Sequence, residues 1–167
     1  WVEENLNEIK ITAFQDFESN PKAEDVQRGI ELFRQHSIDA VVAIGGGSVI
    51  DSAKGANIIF TLGGNLVEDY SGAQTITQNL SPLVAIPTTA GTGSEVTEAI
   101  VIKDESSSAK LSFVDFHLLP TLAILDPELT IALPPKITAG CALDALTHAI
   151  EAMMSVQRGA VSDALAL

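Results

Sequence analysis

Cysteine is almost absent from this chain, since Cys141 is the only one among its 167 residues. A lone cysteine excludes a disulfide within this sequence and a metal cluster held by several thiolates. Such sparing use of cysteine is typical of proteins from reducing compartments, so we expect a cytoplasmic protein.

Basic residues and long apolar runs are also scarce. Lys and Arg number 9 against 22 Asp and Glu, which gives a net charge of -13 at pH 7. A chain this acidic repels nucleic acid and anionic membrane surfaces, and we expect neither as a partner. No apolar run reaches the roughly 18 residues that a membrane-spanning helix needs. An anionic ligand must therefore be held by local groups such as backbone N–H.

Hydrophobic residues, in contrast, are plentiful at 46% of the chain. This content suits one globular domain with a sizeable core, or a piece of a larger protein. The sequence has no initiator Met, and it begins and ends inside segments with helical patterns. We interpret it as an internal fragment.

Strand and helix patterns alternate along the first 134 residues. They predict strands at 10–17, 39–44, 83–87, 98–102 and 121–127, and helices at 23–36 and 49–60. The uninterrupted apolar run at 39–44 predicts a strand buried on both faces of a parallel sheet. From Lys136 onward the chain is rich in helix formers and has no strand pattern. An α/β domain is therefore expected to lead into an all-helical one near Pro134-Pro135.

The stretch "VVAIGGGSVIDSAKG" places three glycines, Gly45, Gly46 and Gly47, between a strand and a helix. Glycines let a backbone approach phosphate closely, and a helix N-terminus offers unpaired N–H groups. The same letters also fit a capped helix, with Ser48 as N-cap and Asp51 at the third helical position. A carboxylate repels phosphate, so Asp51 suits contact with a neutral hydroxyl better. The stretch alone leaves cradle and cap open.

A second strand runs into "IPTTAGTGSEVTEAI", which is dense in hydroxyls and glycines. Thr88, Thr89 and Thr92 supply hydrogen-bond donors and acceptors there. Loops of this kind at the carboxyl ends of parallel strands are where open α/β sheets bind ligands. Turn residues in an ordinary loop explain the composition as well. Two such loops in one sheet favour a cofactor site.

Asp144 and His148, in "ALDALTHAIEA", are four residues apart and share one face of a predicted helix. Carboxylate and imidazole together suit Fe(II), Zn(II) or Mn(II). A surface pair, or a buried histidine held by a carboxylate, is the alternative. The apolar flanks favour burial, and a buried pair needs a shared partner such as a metal. For His36 and His117 a structural role is favoured.

Four motifs in order resemble the iron-containing (group III) alcohol dehydrogenase family: "AIGGGSVIDSAK", "AIPTTAGTGSEVT", "LAILDPELT" and "TAGCALDALTHAIEA". The resemblance extends from Asn20-Pro21 to the C-terminal "VSDALAL". It implies an α/β fold class, with a parallel-sheet dinucleotide-binding domain at 1–134. The start of an all-helical metal-binding domain follows at 135–167.

The resemblance also implies roles for individual residues. Positions matching the family's NAD(P) contacts are Asn20, Gly46, Gly47, Ser48, Asp51, Thr88, Thr89, Thr92, Lys110 and Leu129. Within this set the glycines and the serine hold the pyrophosphate, and the threonines line the adenine and ribose side. Asp51 lies beside the nicotinamide ribose and the substrate, as the catalytic position. Asp144 and His148 match two of four ligands to a divalent metal, Fe²⁺ first and Zn²⁺ as the alternative.

Parts of the family pattern fall outside this sequence. Two ligand histidines lie farther downstream in the family, and the residue that selects NAD or NADP lies upstream. We therefore expect the isolated chain neither to hold metal tightly nor to catalyse a reaction.

The expected activity of the intact protein is metal-dependent alcohol dehydrogenation, a reversible hydride transfer between a small alcohol and NAD or NADP. A homo-oligomer is also expected. Two alternatives stay open. One is a relative of the glycerol dehydrogenase or maleylacetate reductase type, and the other is a non-catalytic nucleotide-binding remnant.

Overall fold

A computed structural model describes residues 8–15, 23–36, 38–104 and 109–167. The strands within these ranges are β1 Val41–Gly45, β2 Gly72–Ala73, β3 Leu83–Pro87, β4 Ala99–Asp104, β5 Ala109–Val114 and β6 Leu122–Ala123. The helices are α1 Ala23–Gln35, α2 Gly47–Leu62, α3 Leu66–Tyr70, α4 Glu128–Ile131, α5 Pro135–Met154 and α6 Ala160–Ala166. Short 3₁₀ turns lie at Ser94–Val96 and Phe116–Leu118.

A parallel sheet in the order β1-β3-β6 positions the candidate site. Val41 pairs with Leu83 at one end of β1, and Gly45 pairs with Pro87 at the other. Parallel pairing brings the carboxyl ends of these strands to one edge of the sheet. Helices accompany the sheet, and the predicted α/β fold class is confirmed.

Two loops leave that edge together. We call Gly45–Gly47 the glycine loop and residues 88–97 the hydroxyl loop. The backbone N–H of Thr88 donates to the carbonyl of Gly45 at 2.9 Å, so the two loops are joined where they leave their strands. Sheet geometry thus makes them neighbours, although more than 40 residues separate their starting points.

Helix α2 lies between this sheet and a second one, in which β2 pairs with β5 and β5 pairs with β4. On one side, Ile50 and Ala53 pack in the core of the parallel sheet. On the other side, Ile58 packs in the core that contains Ile102 and Phe113 of the second sheet. Burying an isoleucine side chain stabilises a fold by about 1.5–3 kcal/mol, so α2 is anchored from both sides.

Most predicted elements of the α/β part are confirmed to within two residues. Three details are wrong. Residues 10–15 form no strand, and the segment 121–127 contributes only the two-residue strand β6. In β1, Val42 and Ile44 are 58% and 47% exposed. Helix α2 covers one face of this strand, and no described element covers the other.

Beyond residue 127 the described chain contains helices alone. Helix α5 begins at Pro135 and packs against α6. Its leucines at 143 and 146 remain exposed. The domain boundary at residue 134 stays a prediction. Among the described helices, none is both long enough and apolar enough to span a membrane.

Asp115 is a buried carboxylate that connects two segments of the second sheet. It accepts the backbone N–H of Ile76 at 3.0 Å and that of His117 at 3.1 Å. The Nδ1 atom of His117 lies 2.7 Å from the same carboxylate. Burial alone would raise the pKa of Asp115, but these hydrogen bonds and the imidazole together lower it. The contact supports the structural role expected for His117.

We predict that Asp115→Ala lowers the free energy of unfolding by about 1–3 kcal/mol, because it leaves the buried N–H of Ile76 unpaired. Since the pKa of Asp115 is lowered in the folded state, wild type holds this advantage at neutral pH. The extra free energy of unfolding of wild type is lost as the pH falls from about 4, the ordinary pKa of an aspartate, through the lowered pKa of Asp115. Urea denaturation at several pH values measures the difference. The exposed Asp39→Ala is the control, and an equal loss in both variants would contradict the prediction.

Candidate active site

The glycine loop leads directly into α2, which begins at Gly47. Gly46 is the N-cap residue, in extended backbone, and no side chain caps the helix. Its carbonyl accepts the N–H groups of Val49 and Ile50, at 3.0 and 3.2 Å, which are the ordinary first hydrogen bonds of a helix. The predicted cap is therefore wrong. Ser48 is the second helical residue and Asp51 the fifth.

Space between the two loops is too small for side chains on the glycines. A Cβ added at Gly46 would lie 3.3 Å from Thr89 Cγ2. One added at Gly47 would lie 2.9 Å from Thr92 Oγ1 and 3.0 Å from Ser94 Oγ. The hydroxyl loop thus lies against bare backbone at the start of α2, where N–H groups of the first turn lack helical partners. We call this arrangement the cradle, because bare backbone at a helix N-terminus is a candidate site for a phosphate group.

Asp51 is half-buried beside this cradle. Its Oδ2 atom accepts the backbone N–H of Val101 at 3.1 Å. Its Oδ1 atom is buried and has no hydrogen-bond partner among the described residues, and the same holds for Thr89 Oγ1. Burial raises the pKa of Asp51, against the opposing effects of the Val101 N–H, the charge of Lys54 and the nearby hydroxyl of Ser94. Two polar atoms are therefore available to a ligand that carries hydroxyl groups.

Lys54 is a site residue that the sequence analysis missed. It is 1% exposed, and its Nζ atom donates to the carbonyls of Thr97 at 2.7 Å and Ala99 at 3.3 Å. Burial lowers its pKa to about 8, although Asp51 and Glu95 act in the opposite direction. The ammonium fastens the end of the hydroxyl loop to α2. A usable signal was present, since Lys54 is the only cation in the sequence of that helix.

The remaining predicted cofactor contacts have different positions. Thr88 and Thr92 lie in the hydroxyl loop beside the cradle. Lys110 is exposed on β5 opposite Lys103, and no hydrogen bond in the described part of the chain joins it to either loop. Leu129 is partly exposed in α4. Asn20 lies outside the described residues.

The predicted metal ligands share one face of α5. His148 Nε2 lies 3.8 Å from Asp144 Oδ1, which is too far for a hydrogen bond. Two ligands of one zinc-like ion can lie up to about 4.2 Å apart, so both can reach a single cation. Their side chains are 55% and 46% exposed, and the expected burial among apolar flanks is wrong because no described element covers this face. The described residues contain no third ligand beside them.

Helix α5 contacts the hydroxyl loop close to this pair. The backbone of Cys141 lies against Gly91, and Cys141 precedes Asp144 by less than one helical turn. The helix of Asp144 and His148 and the glycine loop therefore both contact the hydroxyl loop.

Comparison with known proteins bears on this arrangement. A family model described as iron-containing alcohol dehydrogenase matches residues 1–127. The 1,3-propanediol dehydrogenase of Citrobacter freundii is 42% identical over 95% of this chain and 41% of its own length. The NAD-dependent methanol dehydrogenase of Bacillus methanolicus is 39% identical over 99% of this chain and 44% of its own. A crystal structure of 1,3-propanediol oxidoreductase superimposes with a TM-score of 0.91 and 41% identity, covering 98% of this chain and 43% of that one. This chain thus spans about two fifths of these relatives' length.

The buried lysine generates a prediction on pH dependence. Below its folded pKa of about 8, Lys54 is charged and its burial costs stability. Between that value and the ordinary 10.5, only the unfolded chain binds the proton, so the free energy of unfolding rises with pH. We expect wild type to gain up to about 3 kcal/mol relative to Lys54→Met across this range.

Urea denaturation of both proteins from pH 7 to about 10.5 measures that gain. Lys136→Met, at an exposed position in the first turn of α5, is the matched control and should show no such rise. A constant difference between wild type and Lys54→Met would contradict the prediction.

Asp51 generates a second prediction. Because its pKa is raised in the folded state, stability declines as the pH rises through that pKa and the carboxylate ionises. Asp51→Asn keeps an oxygen for the Val101 N–H and removes the charge, so it should match or exceed wild-type stability at pH 7. Asp51→Ala loses the acceptor and should be less stable than Asp51→Asn at every pH by about 0.5–1.5 kcal/mol. Thermal unfolding at pH 7 and at about pH 4 separates the two variants. If Asp51→Asn loses as much thermal stability as Asp51→Ala, this account is wrong.

Proposed function

This chain belongs to the iron-containing alcohol dehydrogenase family, and from that premise we propose that the intact protein transfers hydride reversibly between a small alcohol and NAD or NADP. The aldehyde or ketone is the product of the oxidative direction. One observation carries the proposal: a cradle of bare backbone, with two unpaired buried oxygens, lies on the loop that touches the helix of Asp144 and His148.

The cradle fits the pyrophosphate of a dinucleotide. Gly46 and Gly47 carry no side chains, so the backbone at the start of α2 is bare, and the N–H groups of its first turn can donate to phosphate oxygens. Ser48, in the first turn, adds a hydroxyl. Thr88, Thr89 and Thr92 are proposed to line the adenine and ribose side, where their hydroxyls can pair with sugar oxygens.

Asp51 is proposed to contact the nicotinamide ribose and the substrate. It is four residues beyond Gly47, about 6 Å farther along the helix axis, which separates its charge from the phosphates. Its unpaired Oδ1 can accept a hydrogen bond from a neutral hydroxyl. The raised pKa follows from burial and makes the carboxylate a better proton acceptor than an exposed aspartate.

Asp144 and His148 are proposed to hold the catalytic metal together with ligands from elsewhere in the intact protein. Oxygen and nitrogen donors suit Fe²⁺, with Zn²⁺ as the alternative. A bound divalent ion supplies Lewis acidity toward the substrate oxygen, which favours hydride transfer at the neighbouring carbon. The contact between α5 and Gly91 holds the helix of these two residues against the hydroxyl loop.

Activity of the intact protein tests this proposal. The protein is loaded with Fe²⁺ or Zn²⁺, and absorbance of reduced nicotinamide is followed with short alcohols, diols and glycerol, using NAD⁺ and NADP⁺ in parallel. Asp144→Ala and His148→Ala should each lower kcat/KM by more than about 100-fold and lower the bound metal, since they remove ligands. Lys136→Ala on the same helix is the control.

Three outcomes discriminate between the candidates. Wild-type activity and metal content in both ligand variants would show that the metal site is wrongly placed. A strong preference for glycerol or for maleylacetate would favour the related enzymes instead. Tight nucleotide binding without any turnover would favour the non-catalytic alternative. A homo-oligomeric state, a cytoplasmic location and the division at residue 134 stay predictions.

A further inference from the structure

Gly91 occupies an unusual place in the hydroxyl loop. Its φ of +154° is a backbone conformation that residues with side chains rarely adopt. Space is lacking as well. A Cβ added there would clash with the carbonyl oxygen of Cys141, and it would lie 2.8 Å from the carbonyl carbon and 3.0 Å from the Cβ of that residue. Because the obstacle is helix backbone, a change of side-chain rotamer on α5 cannot relieve it.

The loop around Gly91 is held firmly on its other sides. Thr89 lies against Gly46, and Lys54 donates to the carbonyl of Thr97 at the end of the loop. Any added volume at position 91 therefore displaces α5 more readily than the loop. Asp144 follows Cys141 on the same helix, so it moves with that backbone.

We propose that Gly91 is a positioning residue, which sets the distance between the metal-ligand pair on α5 and the cofactor cradle by letting the two backbones touch. The inference rests on the proposed function for its catalytic consequence, whereas its structural consequence stands independently. Nonbonded carbons pack at about 3.5–4.0 Å, so a methyl group at position 91 requires α5 to recede by about 1 Å. A misplacement of about 1 Å can lower a reaction rate about 100-fold.

The test uses Gly91→Ala in the intact protein and measures position, binding and rate separately. A crystal structure should show the Cα of Asp144 about 1 Å farther from the Cα of Gly47 than in wild type. The dissociation constant for NADH, from nicotinamide fluorescence, should match that of Gly93→Ala, which strains the same loop without the contact to α5. The kcat should fall about 100-fold, so the effect appears in kcat and not in nucleotide binding.

Two glycines provide matched controls. Gly93 also has a positive φ, +67°, but a Cβ there meets only Thr97 Cγ2, at 3.9 Å. Gly93→Ala should lower thermal stability through backbone strain and leave α5 in place. Gly140 precedes Cys141, and a Cβ there meets nothing within 4 Å. Gly140→Ala should leave both the position of α5 and kcat unchanged.

The outcomes separate this inference from the proposed function. If wild type is active and Gly91→Ala keeps either the wild-type distance or the wild-type kcat, the inference is overturned and the function stands. If wild type is inactive, the function fails, and the distance in the Gly91→Ala structure still decides the inference. Should Gly91→Ala not fold, Cys141→Val enlarges the side chain whose Cβ lies nearest to position 91, from ordinary helical backbone. A shifted α5 with reduced kcat supports the inference, and an unchanged α5 overturns it.

Discussion

Burial of α2 on two opposite sides is the constraint on which the rest of this structure depends. The helix packs against the parallel sheet through Ile50 and against the second sheet through Ile58. Its first residue, Gly47, is thereby fixed at the edge where β1 and β3 end. The hydroxyl loop then has a rigid surface to lie on, and Lys54 fastens it there. The site is positioned by a core, not by loops alone.

The same helix carries two ionisable groups, Asp51 and Lys54, that lose solvent on folding. Their contribution to stability does not explain why they are there. Charge on Asp51 and Lys54 is disfavoured by burial in both cases, as the directions of their pKa values show. Buried charges are weak evidence for stability, and apolar replacements are often as stable. Lys54 supplies hydrogen bonds to two carbonyls that would otherwise lack a donor. Asp51 leaves one oxygen open, which is a feature of sites that await a ligand.

Local patterns predicted most of the α/β elements and both loops, because strand runs, helical stripes and glycine clusters act within a few residues. The predictions were wrong where contacts between distant residues, or contacts of the backbone, determine the structure. Helix α2 begins at Gly47, one residue before Ser48, so Ser48 lies inside the helix and does not cap it. Lys54 finds its partners 43 and 45 residues away. Val42 is exposed because no described element covers that face of β1. An apolar run in the sequence does not show which elements will cover a strand.

The acidic balance of the chain is compatible with dinucleotide binding only because of how the cradle is built. A net charge of -13 opposes any anion at long range. Backbone N–H groups at a helix start carry fixed partial charges that do not depend on the surface, and they act within the first turn. Gly46 and Gly47 carry no side chains at the start of that turn, while Asp51 lies a turn deeper. Salt screens the long-range repulsion within about 8–10 Å, whereas the attraction from these N–H groups acts at contact distance.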